Sequence, residues 1–372
     1  MKTLFFLGHP AHYHLFKNTI KNLRDQGVSV DIVIKTKDIL VDLLDSAGEP
    51  YTNLLPNGRK DGKFGIINGV IRKERALYRY CKINRPDLMI GVSAEIAHVG
   101  KILGIPSMNA TEDDFHIVKQ FGRITYPFTD HILSPLACDN GKWNYKTVSY
   151  PGYQKLAYLH PNQFRPDRNV VNNYLDPDRP FFILRLAKLS AYHDNGIEGF
   201  GNTMAKQFIE YLSTKGEVYI TSERELPAEF EQYKLRINPL DIHHLLYFAK
   251  MFVGDSQSMA VESAVLGTPS IRFSSFTGRI GVLKELENKY QLTKGVHPKN
   301  PDELFSKAEE MLCDVTSKKK HQEQRELMLR ENIDVTAFFT WLILNYPGSL
   351  NILKKEPDYH YTFLEPHLPD VA

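Results

Sequence analysis

Cysteine is scarce. The chain has three, Cys81, Cys138 and Cys313, far apart and odd in number. No Cys-x-x-Cys pair and no Cys/His cluster occurs, which argues against a disulfide framework or a zinc site and suits a reducing cytoplasm. A long apolar run is also missing. None reaches the roughly 18–20 residues that span a bilayer; the longest, Ala337 to Tyr346, is about half that length. The first residues, Met1 to Pro10, hold too short an apolar stretch for a signal peptide and read as a first strand. Excess charge of one sign is absent too, with 46 Lys plus Arg against 44 Asp plus Glu, a formal net charge of +2. A dedicated nucleic-acid binder carries a basic excess, so nucleic acid is not an expected partner. There is no short-period repeat and no low-complexity tract. The expected location is cytoplasmic, with at most peripheral membrane contact.

What remains is an ordinary folded composition. Hydrophobic residues make up 42% and charged residues 24% of 372 residues, enough chain for about two domains. Thr3–Leu7 reads as a strand, and a helical pattern follows from about His14 to Gln26, closed by Gly27. A second strand covers Val28–Ile34. Such a βαβ unit forces a right-handed crossover and a parallel sheet. Further strands are expected at Asp87–Val92, Ile105–Asn109 and His131–Ser134, with helices at Phe64–Asn84 and Ala94–Leu103. The stretch Tyr150–Pro180 is rich in proline and reads as a linker or a domain border. A second alternating series follows. Strands are expected at Phe181–Ala187, Glu217–Thr221, Lys234–Asn238, Met251–Gly254 and Pro269–Phe273. Helices are expected at Glu198–Thr214, Leu240–Lys250, Ser258–Leu266, Gly278–Lys289, Pro301–Cys313, Thr316–Asn332 and Asp334–Tyr346. The expected architecture is α/β, with two Rossmann-like domains facing a cleft. The division falls at 1–160 and 161–372, and the terminal helix is allowed to return to the first domain.

The strongest motif runs from Val253-Gly254-Asp255-Ser256 through Gln257-Ser258-Met259 to Glu262 and Gly267-Thr268-Pro269. A hydrophobic strand ends in Gly-Asp-Ser and a helix opens at once. Unused N–H groups at a helix start, with small serines beside them, suit an anion. Glu262 lies about one turn inside and can accept hydrogen bonds from two neighbouring sugar hydroxyls. A plain serine cap with a solvated glutamate is the structural alternative.

This segment resembles the donor-binding motif of GT-B glycosyltransferases and of the UDP-N-acetylglucosamine 2-epimerases that share their fold. In those families the strand–turn–helix holds the nucleotide diphosphate, and a glutamate matching Glu262 binds the ribose. The run from Ile237 and Asn238 to Ala249 resembles the base-contacting turn and short helix that precede the motif. More narrowly, the run from Gly8-His9-Pro10 to Phe16 and Phe276-Thr277-Gly278-Arg279-Ile280-Gly281 resemble an uncharacterised prokaryotic family. That family is known mainly as a domain of unknown function with a predicted GT-B fold. The resemblance implies a nucleotide site at Asn238, Ser256, Gln257, Ser258, Met259 and Glu262.

Four other features carry candidate chemistry. His9, His12 and His14 follow the first strand, at the carboxyl end where open sheets bind ligands. His12 or His14 is the candidate base, and His9 a candidate substrate ligand. Glu112 and Asp113 sit in the loop after the strand from Ile105; in the epimerases the matching loop carries an acidic residue facing the sugar. Thr111 capping the next helix, with Asp114 in the capping-box region, is the structural alternative there. Arg185 and Lys188 can neutralise diphosphate charge, as can Arg279 in its glycine-flanked loop. The epimerases place a catalytic histidine in a Thr-x-x-Arg-Arg-Glu-Asn-like loop. Here His193, Asn195 and Gly196 are kept and the Arg-Arg-Glu run is not. Asp176-Pro177-Asp178 reads as a turn rather than a metal motif. Lys318-Lys319-Lys320 reads as a solvated helix face.

The sequence therefore points to a glycosyltransferase acting without a metal or a separate cofactor. Its substrate would be a nucleotide sugar, with a UDP-sugar the first guess, and its acceptor a sugar or a lipid-linked sugar. A nucleotide-sugar 2-epimerase is the alternative, with acid and base among His193, Glu112 and Asp113. A non-catalytic nucleotide-sugar-binding module is the third reading. The oligomeric state is left open.

Overall fold

Runs such as Leu4-Phe5-Phe6-Leu7 and Phe181-Phe182-Ile183-Leu184 lack the alternation of a sheet with one wet face. Strands of this kind need cover on both faces, as parallel sheets provide. All eight of these residues are at most 1% exposed. The computed structural model describes residues 1–36, 39–55, 63–188 and 198–364, and of residues 63–70 the backbone alone.

The chain opens with β1 (Lys2–Leu7), α1 (Pro10–Asp25), β2 (Ser29–Ile34), α2 (Leu40–Ser46), β3 (Thr52–Asn53) and α3 (Lys63–Asn84). It continues through β4 (Leu88–Gly91), α4 (Ala94–Leu103), β5 (Ser107–Ala110), α5 (Lys119–Thr125), β6 (His131–Pro135) and β7 (Thr147–Tyr150). Two short helices follow, α6 (Leu156–Leu159) and α7 (Arg168–Asn172). The second series is β8 (Phe181–Leu186), α8 (Asn202–Ser213), β9 (Glu217–Ser222), α9 (Ile242–Phe248), β10 (Met251–Gly254), α10 (Gln257–Val265) and β11 (Ser270–Phe273). It ends with α11 (Gly281–Asn288), β12 (Lys294–Val296), α12 (Pro301–Cys313) and α13 (Ser317–Glu331), and the chain closes with α14 (Val335–Leu344) and α15 (Gly348–Lys355).

Among the described residues, the strands form two sheets, both wholly parallel. The first has the order β3-β2-β1-β4-β5-β6-β7 and the second β12-β11-β10-β8-β9. Strand order reverses between β1 and β4 in the first sheet and between β8 and β10 in the second. Loops leaving a reversal diverge to opposite faces and open a crevice at the carboxyl ends of the strands.

The chain divides into two compact units, Met1–Tyr158 with Asn332–Ala372, and Leu159–Glu331. The border falls within a few residues of the expected 160, and the segment from Asn332 onward, whose return was allowed for, belongs to the first unit. The cause is packing: Phe339 and Phe338 lie against Tyr150 at 5.3 and 5.8 Å between ring centroids. Asn22 on α1 donates to Thr340, and Thr336 donates to the Ala157 carbonyl. Phe338, Phe339, Leu342 and Ile343 are fully buried, so this apolar segment is core of the first unit. The Pro-rich stretch is not a plain linker either, since Tyr150, Tyr153, Leu156 and Ala157 have no exposed surface.

Other expectations shift. Helix α1 begins at Pro10 rather than His14, because His9 caps it by accepting the Ala11 amide and proline fits the first helical turn. Lys234–Asn238 is not a strand; one isolated bridge, Ile220 to Lys234, is all that forms before Pro239. Thr111 caps no helix: its hydroxyl closes a local turn with Asp113, and α5 starts only at Lys119. Lys318 does not face solvent. Its ammonium donates to the Tyr247 and Ala249 carbonyls at the end of α9, and burial pulls its pKa down to about 8. Lys319 and Lys320 are exposed as expected. Asp176 accepts the Asp178 amide at 3.0 Å, the side-chain turn expected there. The short elements α2, β3, α5, β7, α6, α7, β12 and α15 are additional to those expected from the sequence.

Candidate functional site

In the second unit, β8 and β10 lie side by side with Gly254 opposite Arg185. A Cβ on Gly254 would come within 2.7 Å of the Arg185 Cβ, so only glycine lets the two strand ends approach this closely. The next residue, Asp255, is 1% exposed and joins three segments. Its carboxylate accepts the Ala187 amide at 2.7 Å and the Phe200 amide at 3.1 Å. Gly199 clears it, since a Cβ there would meet the Asp255 Oδ2 at 2.6 Å. Burial pushes the Asp255 pKa up to about 6, against the pull of the two amides and of Arg224.

Ser256 then caps α10, its hydroxyl accepting the Met259 amide at 3.4 Å. Gln257 turns its amide group onto the Asp255 carbonyl and the Ser274 hydroxyl, at 3.2 and 3.0 Å. Its side chain thus ties the helix start to the end of β11. Ser258 is half-buried and Met259 buried. A helix start at a sheet's reversal point offers unshared N–H groups and a positive dipole end.

Glu262 lies one turn inside α10 and is 8% exposed. The expected alternative, a solvated glutamate, does not hold. Its Oε1 is 3.5 Å from the Nε2 of His243, which α9 carries and which is itself buried. Phe164 sets its ring edge-on to His243, with centroids 6.1 Å apart. Asn238, just upstream, accepts the Leu240 amide with its side chain and gives its own amide to the Tyr174 hydroxyl. The turn before α9 is thereby fixed by Tyr174, which also donates to Asp241 at 2.7 Å.

The three cations expected near a diphosphate are placed differently. Arg185 is paired with Glu223 at the end of β9. Lys188 is exposed, and its amide reaches the same Glu223 at 3.3 Å. Arg279 is exposed in the turn before α11, with its guanidinium 5.3 Å from the Phe276 ring centre. His193, Asn195 and Gly196 lie outside the described residues.

In the first unit, β1 and β4 form the reversal. His9 accepts the Ala11 amide through Nδ1 at 3.1 Å, and His12 accepts the Gly8 amide through Nδ1 at 3.2 Å. A neutral imidazole carries one proton, so a ring accepting at Nδ1 holds it on Nε2. Both rings therefore carry their proton on Nε2 when neutral, and the Nδ1 lone pair is engaged by the backbone. His14 cannot share a face with His12, because residues two apart on a helix diverge. It is buried, with its ring 5.3 Å from that of Tyr158.

Glu112 is not open either. Its Oε1 accepts the Gln154 amide at 2.6 Å and its Oε2 meets the Lys155 ammonium at 2.5 Å. Asp113 is half-buried in the same loop, and Asp114 beside it accepts the Asp139 amide. One group was missed by sequence reasoning: Glu95, in the first turn of α4, buried and 2.6 Å from Lys73. Burial works against its ionisation, but Lys73 and Lys35 outweigh it and hold its carboxyl below the ordinary value. The available signal was Gly91-Val92-Ser93-Ala94-Glu95, a strand ending in a serine before a helix, the same grammar as the motif at Gly254. Asp255 is a second such group, and an aspartate ending a buried strand is itself a signal.

Comparison with known proteins follows the same lines. The family described as "Protein of unknown function (DUF354)" matches residues 4–336. The chain belongs to that family. It is 23% identical over 287 residues to the uncharacterized protein MJ0665 of Methanocaldococcus jannaschii, covering 71% of this chain and 79% of that protein. Among solved structures it resembles the UDP-GlcNAc 2-epimerase of Neisseria meningitidis bound to UDP-GlcNAc. The TM-score is 0.61 at 14% identity, with 94% of this chain and all of that one covered. It also resembles the glycosyltransferase SsfS6 of Streptomyces sp. SF2575 complexed with thymidine diphosphate. There the TM-score is 0.60 at 13% identity, with 93% and 99% of the two chains covered. The DUF354 chain thus has the two-sheet α/β fold of GT-B glycosyltransferases and UDP-GlcNAc 2-epimerases.

Proposed function

We propose that this DUF354 protein is a glycosyltransferase that takes its sugar from a nucleoside diphosphate, a UDP-sugar in the first instance. Cell-surface polysaccharide or glycoconjugate synthesis is the process it would serve. The observation that carries the reading is Glu262. A buried carboxylate beside His243, one turn behind a serine-capped helix start at a strand reversal, would receive two ribose hydroxyls. The diphosphate then meets the first N–H groups of α10 around Ser256, Gln257 and Ser258. Negative charge grows on the leaving diphosphate, and fixed N–H dipoles stabilise it without a metal. Arg279 is the cation best able to join them, since Arg185 already has Glu223. The fold neighbours complexed with UDP-GlcNAc and thymidine diphosphate lend support.

In this reading the first unit takes the acceptor, a sugar or a lipid-linked sugar. His9 and His12 hold oxygens of the acceptor or of the transferred sugar through their Nε2–H groups. Asp113, from the loop after β5, is carried forward as a candidate base. The test is calorimetric titration with nucleoside diphosphates and their sugars, for the native chain and Glu262→Ala. Unchanged affinity in the variant would sink the assignment.

The epimerase reading is supported by the fold likeness to UDP-GlcNAc 2-epimerases and by His193. An epimerase consumes a nucleotide sugar with no acceptor present, so product analysis of the sugar alone separates the two.

A further inference from the structure

We propose that a pocket on the flank of α1 binds a phosphate group, at a site distinct from the carboxyl edges of the sheets. Tyr13, Lys17 and Lys21 are spaced four residues apart, so their side chains rise along one helix face. They line a pocket of about 290 Å³, within the first unit. At 1.5 Å per residue, Lys17 and Lys21 lie roughly 8 to 14 Å along the helix from His12.

The chemistry in the pocket is unbalanced. Tyr13 is 4% exposed, and burial, with Glu49 adding and Arg24 opposing, pushes its pKa up to about 12. Its phenol therefore stays protonated and serves as a donor. Lys17 is partly buried, and burial is the sole cause pulling its pKa down. No described residue hydrogen-bonds or ion-pairs with the Tyr13 hydroxyl or with the ammonium groups of Lys17 and Lys21. The carboxylates at the rim do not fill the gap. Glu49 is bound to Arg24 at 2.7 Å, and Asp25 is exposed at the end of the helix.

An ammonium withdrawn from water without a counter-charge is costly, and an arriving anion offsets that cost. Two ammonium groups and a phenol match a phosphate dianion with three acceptor oxygens; a single carboxylate would leave one lysine unanswered. Inorganic phosphate, a soluble phosphomonoester and a lipid headgroup share this chemistry.

The experiment is an NMR titration of the full chain with labelled lysine side chains. Inorganic phosphate and glycerol 3-phosphate are the soluble probes. Co-sedimentation with phosphatidylcholine vesicles containing phosphatidic acid is the lipid arm. Saturable binding that raises the Lys17 pKa is expected. Lys17→Met and Lys21→Met should each weaken it about tenfold, the scale of one charge-assisted contact, while Lys17→Arg retains it. Preference for glycerol 3-phosphate marks a soluble ester, and sedimentation lost in the same Met variants marks a headgroup. No saturable binding in any arm, or equal binding by Lys17→Met and the native chain, overturns the proposal. Nucleotide affinity is independent of this pocket and should be the same in all three variants.

Discussion

In the second unit the carboxyl edge of the sheet is organised by two buried carboxylates, Asp255 and Glu262, close together in one stretch of chain, whereas in the first it is assembled from scattered pieces. Asp255 and Glu262 belong to one strand–turn–helix, and the Asp255 side chain joins the end of β8 and the lead-in to α8. In the first unit His9 and His12 come from the start of α1, Glu95 from α4, Lys73 from α3 and Glu112 from the loop after β5. Both edges sit at a strand reversal, so topology alone makes each a crevice. Under the proposed function the difference suits different ligands. A nucleotide offers a fixed set of groups, which one rigid motif can hold. An acceptor site must follow whichever substrate the protein uses, and scattered loop residues change independently of the core.

The comparison is tested first at the core. If α14 is integral to the first unit, Phe339→Ala should cost about 3–5 kcal/mol, the usual range for a fully buried aromatic. Urea unfolding measures it, and a loss under 1 kcal/mol would mean that the returning segment is peripheral. Next comes the fastening of the second unit. Asp255 titrates near 6 when folded, above the ordinary 3.8. The folded state therefore binds this proton more tightly than the unfolded state. The sign follows: its contribution is full below about pH 4 and is lost as pH rises through about 6. The change is on the order of 3 kcal/mol. Stability of Asp255→Asn, followed by urea melts from pH 4 to 7, should lack that slope. An identical slope in the variant would assign it to another group. Third, Glu262→Ala should weaken nucleotide binding by about 1–3 kcal/mol while the fold survives. The same change at Glu95, in the first unit, should leave nucleotide affinity alone. Equal losses at both positions would erase the distinction between the edges.

Much of this was legible in the sequence for physical reasons. The strands from Leu4 and Phe181 are apolar on both faces, which only a covered parallel sheet allows. The motif at Gly254 is contiguous, so its helix start and Glu262 were readable together. The partners of each side chain were not readable. Glu112 meets Lys155 and Arg185 meets Glu223 only because distant loops converge, 43 and 38 residues apart in the chain. The first turn of α1 was hidden by Pro10, which reads as a breaker although the first helical position accepts it. The return of α14 to the first unit depends on which of two cores offers room, and apolar periodicity does not encode that choice.

The smallest expected effect is the most discriminating, because it concerns a role that the sequence and the geometry assign differently. The sequence makes His12 a candidate base. The structure spends its Nδ1 lone pair on the Gly8 amide at 3.2 Å, leaving a donor at Nε2. Glutamine places an N–H donor close to where Nε2–H lies, but it has no basic nitrogen. If His12 donates, His12→Gln should keep turnover within about tenfold of the native chain. His12→Ala should lose more, on the scale of one removed donor, about 10²-fold. If His12 is the base, both variants should fall together by about 10²–10⁴-fold. Nucleotide affinity should be unchanged in either variant, because His12 belongs to the first unit and Glu262 to the second. Steady-state rates of the two variants, taken with the nucleotide sugar and acceptor that support turnover, decide between the roles. Equal, deep losses would return His12 to the position of base and require the ring to release Gly8 during the reaction.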